Sequence, residues 1–157
     1  MQINIPVKVT SVETFGQITI IGGQSDLTVS DYDFEPGKHN RVEYGRFQHP
    51  SGPVTYDVCV FDFHPGVFCV GGAILSIESA GWQVADYTHL VHWLKGNNKD
   101  AFGEKAVVAL GSASSGFGGS TFYPSTKMSG NKKRRIYPIE FLSGIQNERI
   151  LAVRPVI

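Results

Sequence analysis

Residues 54–63 form a nearly continuous run of β-branched and aromatic side chains, and this run limits the possible fold more than any other segment. A strand that is apolar on both faces has to be covered from both sides, so it belongs at the centre of a sheet. A second run of this kind covers residues 67–77, and residues 64–66 between them have the composition of a turn. The sequence therefore predicts a central β-hairpin.

Shorter patterns indicate further strands. Apolar residues alternate with polar ones over residues 3–9, and Pro6 favours an edge position for that strand. The Gly22-Gly23 pair suggests a hairpin between residues 18–21 and 27–29. Three later segments are also predicted to be strands, and the last two are expected to form a hairpin around residues 143–144: residues 105–110, 135–142 and 149–153.

One amphipathic helix is predicted over about residues 84–95. Asp86 lies near its start, and Gly96, which follows its end, is predicted to be the residue that terminates it in the left-handed conformation. Its apolar stripe has the spacing i, i+3, i+4 and i+7 and consists of Tyr87, Leu90, Val91 and Leu94. Many short strands with one helix predict a mainly β fold of α+β type, either an antiparallel β-sandwich or a partly open barrel with the helix packed against it.

The length of 157 residues and the hydrophobic content of 41% suit one globular domain, predicted here to span residues 1–157. Residues 111–131 are rich in Gly, Ser and Thr and are predicted to be a long loop. No segment approaches the ~20 apolar residues that cross a bilayer, and the first residues lack a signal-peptide pattern. We therefore expect a cytoplasmic protein without membrane contact, and no cofactor is predicted.

Charge is distributed unevenly although the formal net charge is zero. Residues 1–104 hold twelve acidic and six basic residues, whereas residues 105–157 hold two acidic and eight basic ones. No acidic residue occurs between Glu104 and Glu140. Five basic residues lie close together in the second half of this interval: Lys127, Lys132, Lys133, Arg134 and Arg135.

Two aromatic residues, Phe122 and Tyr123, precede the basic run. Cations bind phosphates and aromatic rings stack on bases, so this combination is typical of nucleic-acid contacts. The leading hypothesis is a non-enzymatic binding module whose loop contacts an anionic partner, either a nucleic acid or an acidic protein surface. The alternative for the same residues is a solvated loop whose charges keep an exposed strand soluble.

A second hypothesis is a small hydrolase or metal-dependent enzyme. His89 and His92 are one helical turn apart, and the helical periodicity puts both opposite the apolar stripe, where they would face solvent or a cleft. The 111–131 loop would then act as a lid over that cleft. A catalytic zinc site needs a third protein ligand, which the spacing of the sequence does not select, so no metal site is predicted.

The remaining motifs are weaker. The Gly-rich segment fails both the Walker A and the dinucleotide-binding patterns. Residues 31–35 alternate carboxylates but lack the Gly and Glu of a calcium-binding loop. Cys59 and Cys69 are expected to remain thiols. A third hypothesis, a structural protein that self-associates, is based on the opposite charges of the two halves and on exposed β-edges.

Overall fold

A computed structural model of the chain describes residues 9–22, 52–63, 69–96, 106–115, 121–128, 134–141, 144–145 and 147–156. Strands and helices alternate from residue 52 to residue 108, and the elements that follow are all strands. In chain order they are β1 Val9–Gly22, β2 Gly52–Phe63, α1 Val70–Ser79, β3 Gln83–Val84, α2 Tyr87–Gly96, β4 Val107–Val108, β5 Ser114–Ser115, β6 Thr121–Met128, β7 Arg134–Glu140 and β8 Arg149–Pro155.

These strands belong to one mixed sheet. Its main path runs β1-β2-β8-β4-β6-β5, while β3 pairs with β8 and β7 pairs with β6. The pair formed by β4 and β8 is parallel, and the other described pairs are antiparallel. The path does not close into a barrel. The mainly β class is confirmed, whereas the antiparallel arrangement is wrong because β4 joins β8 in the same direction; a sandwich is not observed.

The prediction that residues 54–63 form a central strand is confirmed. β2 lies between β1 and β8, and its side chains are buried on both faces of the sheet. Tyr56, Val58 and Val60 belong to one hydrophobic cluster, together with residues of α2. The alternate residues Cys59, Phe61 and Phe63 belong to a second cluster, together with residues of α1. The two helices therefore cover opposite faces of the strand.

The second half of the predicted central hairpin is wrong, because residues 70–79 form α1 instead of a strand. Cys69 caps the helix: its Sγ accepts a hydrogen bond from the backbone N–H of Gly72 at 3.3 Å. Ala73 and Ile77, four residues apart, are both fully buried against the sheet. The sequence is rich in apolar residues that suit either structure, and this spacing fits one face of a helix.

The predicted helix at 84–95 is confirmed as α2, which begins at Tyr87 and ends at Gly96. Leu90, Val91 and Leu94 are buried in the cluster that also contains Val58 of β2. Trp93 is buried as well, because Phe15 of β1 packs edge-on against its ring at a centroid distance of 5.7 Å. Neither α1 nor α2, the helices of the described ranges, is long and apolar enough to cross a membrane.

Residues 111–131 are not one long loop, because β5 and β6 lie within them. The predicted hairpin around residues 143–144 is wrong also. Strands do occur at 134–140 and 149–155, but β7 pairs with β6 and β8 pairs with β2, β3 and β4. The predicted strand at 3–9 extends into the described residues only at Val9, and the predicted strand at 27–29 lies outside them.

β1 is irregular in the middle of its pairing with β2. The register shifts by one residue between Thr14 and Gln17, which is the signature of a β-bulge. Gly16 occupies the bulge with φ +80°, and a Cβ at this position would meet nothing within 4 Å. The demand for glycine here therefore comes from the backbone conformation and not from lack of space.

Candidate functional site

The basic positions of the predicted binding surface meet at one end of the pair formed by β6 and β7. The antiparallel register makes Lys127 the Cα partner of Arg135 and Met128 the partner of Arg134. A loop was predicted to carry these residues, but the described ones belong to regular strands. Lys132 and Lys133 lie between the two strands in the sequence and outside the described residues. Three cationic positions are thus gathered at the hairpin end by backbone pairing alone.

The two aromatic residues of the prediction lie at the other end of β6. Phe122 is the partner of Glu140, and Tyr123 is the partner of Ile139. At about 3.3 Å per residue, Tyr123 lies about 13 Å along the strand from Lys127. The structure therefore separates the aromatic residues from the basic ones, although the sequence predicted a single contact surface for both.

Tyr123 is partly buried and packs against the margin of the core. Its ring packs against that of Phe141 at a centroid distance of 5.8 Å, and both belong to the margin of the cluster on the α1 side of the sheet. Burial raises the pKa of the Tyr123 hydroxyl above its ordinary value. The ring contact and the raised pKa both show that the Tyr123 side chain packs against other residues of the protein.

Outside the hairpin, two described cations of β8 lie near carboxylates. Arg154 Nη2 lies 3.7 Å from Asp57 Oδ2, and its guanidinium lies 4.2 Å from the centre of the Trp82 ring. Arg149, which is nearly buried, has Nη1 at 3.9 Å from Glu13 Oε2. Each of these two arginines thus lies near a carboxylate of another strand, whereas the register of β6 and β7 pairs one basic position with another.

The prediction that His89 faces solvent or a cleft is wrong, because its side chain is fully buried. The first turn of α2 is enclosed on all sides, so its burial does not follow the helical period. Tyr56 packs edge-on against the His89 ring at 4.7 Å between centroids. His92 is partly buried, and its Nδ1 lies 2.9 Å from the backbone oxygen of Thr88. The two histidines therefore do not line an open cleft.

His89 and Asp86 cap the N-terminus of α2 reciprocally. Asp86 Oδ1 accepts the backbone N–H of His89 at 3.0 Å, and His89 Nδ1 accepts the backbone N–H of Asp86 at 2.9 Å. This is the geometry of a capping box, with histidine in the place that glutamate usually takes. Nδ1 also lies 3.0 Å from Asp86 Oδ1. Because the backbone nitrogen always carries its hydrogen, Nδ1 acts as the acceptor and we assign the ring proton to Nε2.

A third group completes this buried cap. Ser112, which follows β4, accepts the backbone N–H of Tyr87 at 2.8 Å, and Gly111 donates its N–H to the backbone oxygen of Ala85 at 2.8 Å. The amide groups that a helix N-terminus can offer to an anion are thus bound by the protein itself at Asp86, Tyr87 and His89. The geometry is that of a structural cap.

The buried carboxylate affects one neighbour. Burial raises the pKa of Tyr56, and the negative charge of Asp86 raises it further, because both disfavour the phenolate. Asp86 was predicted near the helix start from the sequence, but its bond with His89 was not. The spacing of the two residues, N-cap and third helical position, is the signal that identifies such a box.

The cysteines are free thiols, as expected. Cys59 is fully buried in β2, and burial raises its pKa to about 12, an effect that the charge of Arg154 partly offsets. Within the described ranges, no three His, Cys, Asp or Glu side chains are grouped so that they could hold a metal ion. The acidic residues 31–35 lie outside these ranges.

Comparisons of the chain with protein families, with curated proteins and with solved structures found no match.

Proposed function

We propose that this protein is a binding module whose β6–β7 hairpin end contacts an anionic partner. The contact residues are Lys127, Arg134 and Arg135, together with Lys132 and Lys133, which the sequence places between the two strands. The partner is a nucleic acid or an acidic protein surface. Phe122 and Tyr123 are not part of this proposal, because they lie at the other end of the strand pair.

The observation that carries the proposal is the register of β6 and β7. Lys127 and Arg135 are direct Cα partners across an antiparallel pair. Like charges in that position destabilise a sheet, whereas a pair of opposite charges stabilises it by roughly 0.2–1 kcal/mol relative to an alanine pair. Folding alone would favour a neutral or an oppositely charged residue at one of the two positions. An anion that binds between them would convert this repulsion into attraction.

The surrounding sequence strengthens the attraction of anions to the hairpin end. The interval between Glu104 and Glu140 contains no acidic residue that could neutralise the five cations through sequence proximity. Charges that are not neutralised attract anions over about a Debye length, which is ~10 Å at 0.1 M salt. The attraction is therefore expected to be strong at low salt and weak at high salt.

The test is a titration of the protein with fluorescent single- and double-stranded oligonucleotides and with polyglutamate at several salt concentrations. Each phosphate that a cation neutralises contributes about 0.9 to the slope of log affinity against log salt for duplex DNA. Five contacts would give a slope of about −4.5. Replacing the five basic residues with glutamine should abolish most of this slope and reduce the affinity at 50 mM salt.

A matched control removes five positive charges elsewhere in the sequence: Lys38, Arg41, Arg46, Lys99 and Lys105 to glutamine. The two variants have the same net charge, so a difference between them reports the location of the contact. If both variants lose affinity equally, net charge alone explains binding and the hairpin has no special role. If neither anion binds at low salt, the proposal is wrong.

Neither alternative function is favoured by a specific observation. The hydrolase hypothesis requires histidines at an open cleft, whereas His89 is enclosed in the cap of α2. The self-association hypothesis requires pairing between strand edges of two copies, and Pro138 removes one backbone N–H donor from β7.

A further inference from the structure

β7 forms one edge of the sheet in the described part of the chain. It pairs with β6 over its whole length, from Arg134 to Glu140, and with no other strand of the described ranges. An edge strand presents a row of backbone N–H and C=O groups that can pair with a further strand. The question is which of these groups point outward.

Two opposed prolines determine which backbone groups of β7 point outward. Pro124 of β6 is the Cα partner of Pro138 of β7. Neither has an N–H, so they cannot form the type of antiparallel pair in which both residues exchange hydrogen bonds. The backbone oxygen of Pro124 accepts the N–H of Ala109, next to β4, at 3.0 Å, which confirms that its polar groups point away from β7.

The alternation of an antiparallel ladder then assigns the rest of β7. Arg135, Tyr137 and Ile139 direct their backbone groups toward β6. The residues between them direct theirs toward the outer edge, and they are Arg134, Ile136, Pro138 and Glu140. The outer edge therefore has N–H donors at 134 and 136, a missing donor at 138, and one further donor at 140.

The charge along this edge changes from basic at the first residue of β7 to acidic at its last. Arg134 and Arg135 begin the strand, with Lys127 opposite, and Glu140 ends it. Two consecutive outward donors thus lie at the basic end, while the proline interrupts pairing before the acidic end is reached. Such an edge accepts a short strand of negative charge and resists a long one.

We propose that the partner is an extended acidic peptide, which adds a short strand to the outer edge of β7 at Arg134 and Ile136. This inference rests on the proposed function, because it assigns a partner class to the same surface. Backbone hydrogen bonds at 134 and 136 provide the pairing, and the cations select acidic side chains. A nucleic acid has no backbone N–H that could complete such a ladder.

The probe is a short fluorescent peptide of alternating glutamate and valine, titrated against the whole protein and followed by fluorescence anisotropy. Ile136→Pro removes one outward donor without changing charge or any bond to β6, and it should weaken binding about three- to tenfold, the effect of one net hydrogen bond. Ile136→Val keeps the donor and should bind as the unaltered protein does. Thermal unfolding of each variant confirms that it is folded.

Two further measurements keep the test decisive if Ile136→Pro fails to fold. Pro138→Val restores the missing donor, so it should tighten binding of the peptide. Methylation of alternate backbone nitrogens in the peptide should weaken binding in one of the two alternating sets and leave the other unaffected, because a strand pairs through one edge only. Equal effects of both sets would overturn strand addition.

The outcomes separate this inference from the function on which it rests. If oligonucleotides bind and respond to the glutamine substitutions while the acidic peptide does not bind, the anion-binding function stands and the peptide is excluded as the partner class. If the peptide binds but Ile136→Pro and Pro138→Val leave its affinity unchanged, contact is by charge alone and strand addition is wrong. If no anion responds to the charge substitutions, the proposed function fails and the inference fails with it.

Discussion

Replacing Asp86 tests whether the buried cap of α2 is held by hydrogen bonds or by an ion pair. Asp86→Ala removes the acceptor of the His89 backbone N–H. Asp86→Asn keeps an oxygen acceptor of the same size and removes the charge. If the assigned proton on Nε2 of His89 is right, the cap needs an acceptor at residue 86 and does not need its charge.

The magnitude follows from the burial of the site. Loss of an N-cap acceptor costs about 1 kcal/mol in an ordinary helix. Here both Asp86 and His89 are fully buried, so water cannot replace the lost acceptor. An unsatisfied buried donor adds about 1–3 kcal/mol. We expect Asp86→Ala to reduce the free energy of unfolding by about 2–4 kcal/mol, which for a domain of this size lowers Tm by roughly 6–12 °C. Asp86→Asn should cost less than about 1 kcal/mol.

Urea unfolding followed by tryptophan fluorescence measures these differences, since Trp93 lies in the core beside Phe15. Absorbance of tyrosinate gives an independent measurement. Because the charge of Asp86 is the second cause of the raised pKa of Tyr56, Asp86→Asn should lower that pKa in part, while burial keeps it above its ordinary value. If Asp86→Asn destabilises the protein as much as Asp86→Ala does, the ion-pair description is correct and our assignment of the His89 proton is wrong.

Three further predictions concern the sheet. Arg135→Glu places an opposite charge across from Lys127, so it should raise the free energy of unfolding by about 0.5 kcal/mol in urea titrations and should weaken anion binding. A loss of stability would contradict the repulsion that we infer between Lys127 and Arg135. Burial raises the pKa of the Cys59 thiol to about 12 from an ordinary value of 9.0, so its contribution to stability is fully present below pH 9 and is lost as pH rises toward 12. The free energy of unfolding should therefore decline less steeply between pH 9 and pH 12 in Cys59→Ala than in the unaltered protein, and an equal decline would refute the raised pKa. Gly16→Ala should destabilise the protein by about 1 kcal/mol because residue 16 has a φ of +80°, and Gly16→Asn should destabilise it by less. If Gly16→Ala is as stable as the unaltered protein in thermal unfolding, the backbone relaxes at this position and no strain is present.

The sequence predicted those elements whose local pattern and tertiary environment agree. β2 was predicted because residues 54–63 are apolar at both alternations, and a strand covered by helices on both faces needs that composition. α2 was predicted because its stripe faces the sheet along most of its length. In both cases the pattern within a single segment contains the information.

The failures have two physical origins. Residues 70–79 are rich in apolar residues that suit a strand as well as a helix, and packing of Ala73 and Ile77 on the sheet selects the helix. β6 lies in a segment rich in Gly, Ser and Thr, and it is a strand because β4 and β7 pair with it, a long-range condition that no local window contains.

The site shows the same division. The cluster of basic residues was evident from the sequence, whereas the opposition of Lys127 and Arg135 depends on the register of two strands. His89 was assigned to the solvent side by its angle on the helix, and that rule fails where the first turn is enclosed from every direction. A helical angle describes one face of contact and carries no information about a helix end inserted into the core.

The position of β8 in the sheet has a consequence for the order in which the molecule assembles during synthesis. β8 is the last described strand along the chain, yet it lies between β2 and β4 and contributes Ile150 and Leu151 to opposite clusters. A growing chain can form the pair of β1 and β2 early, but both faces of that pair stay incomplete until residues 149–155 have left the ribosome. If synthesis stops before β8, the apolar strands β2 and β4 lack the strand that lies between them. Exposed apolar surface and unpaired strand edges of this kind are what chaperones bind and what leads to aggregation.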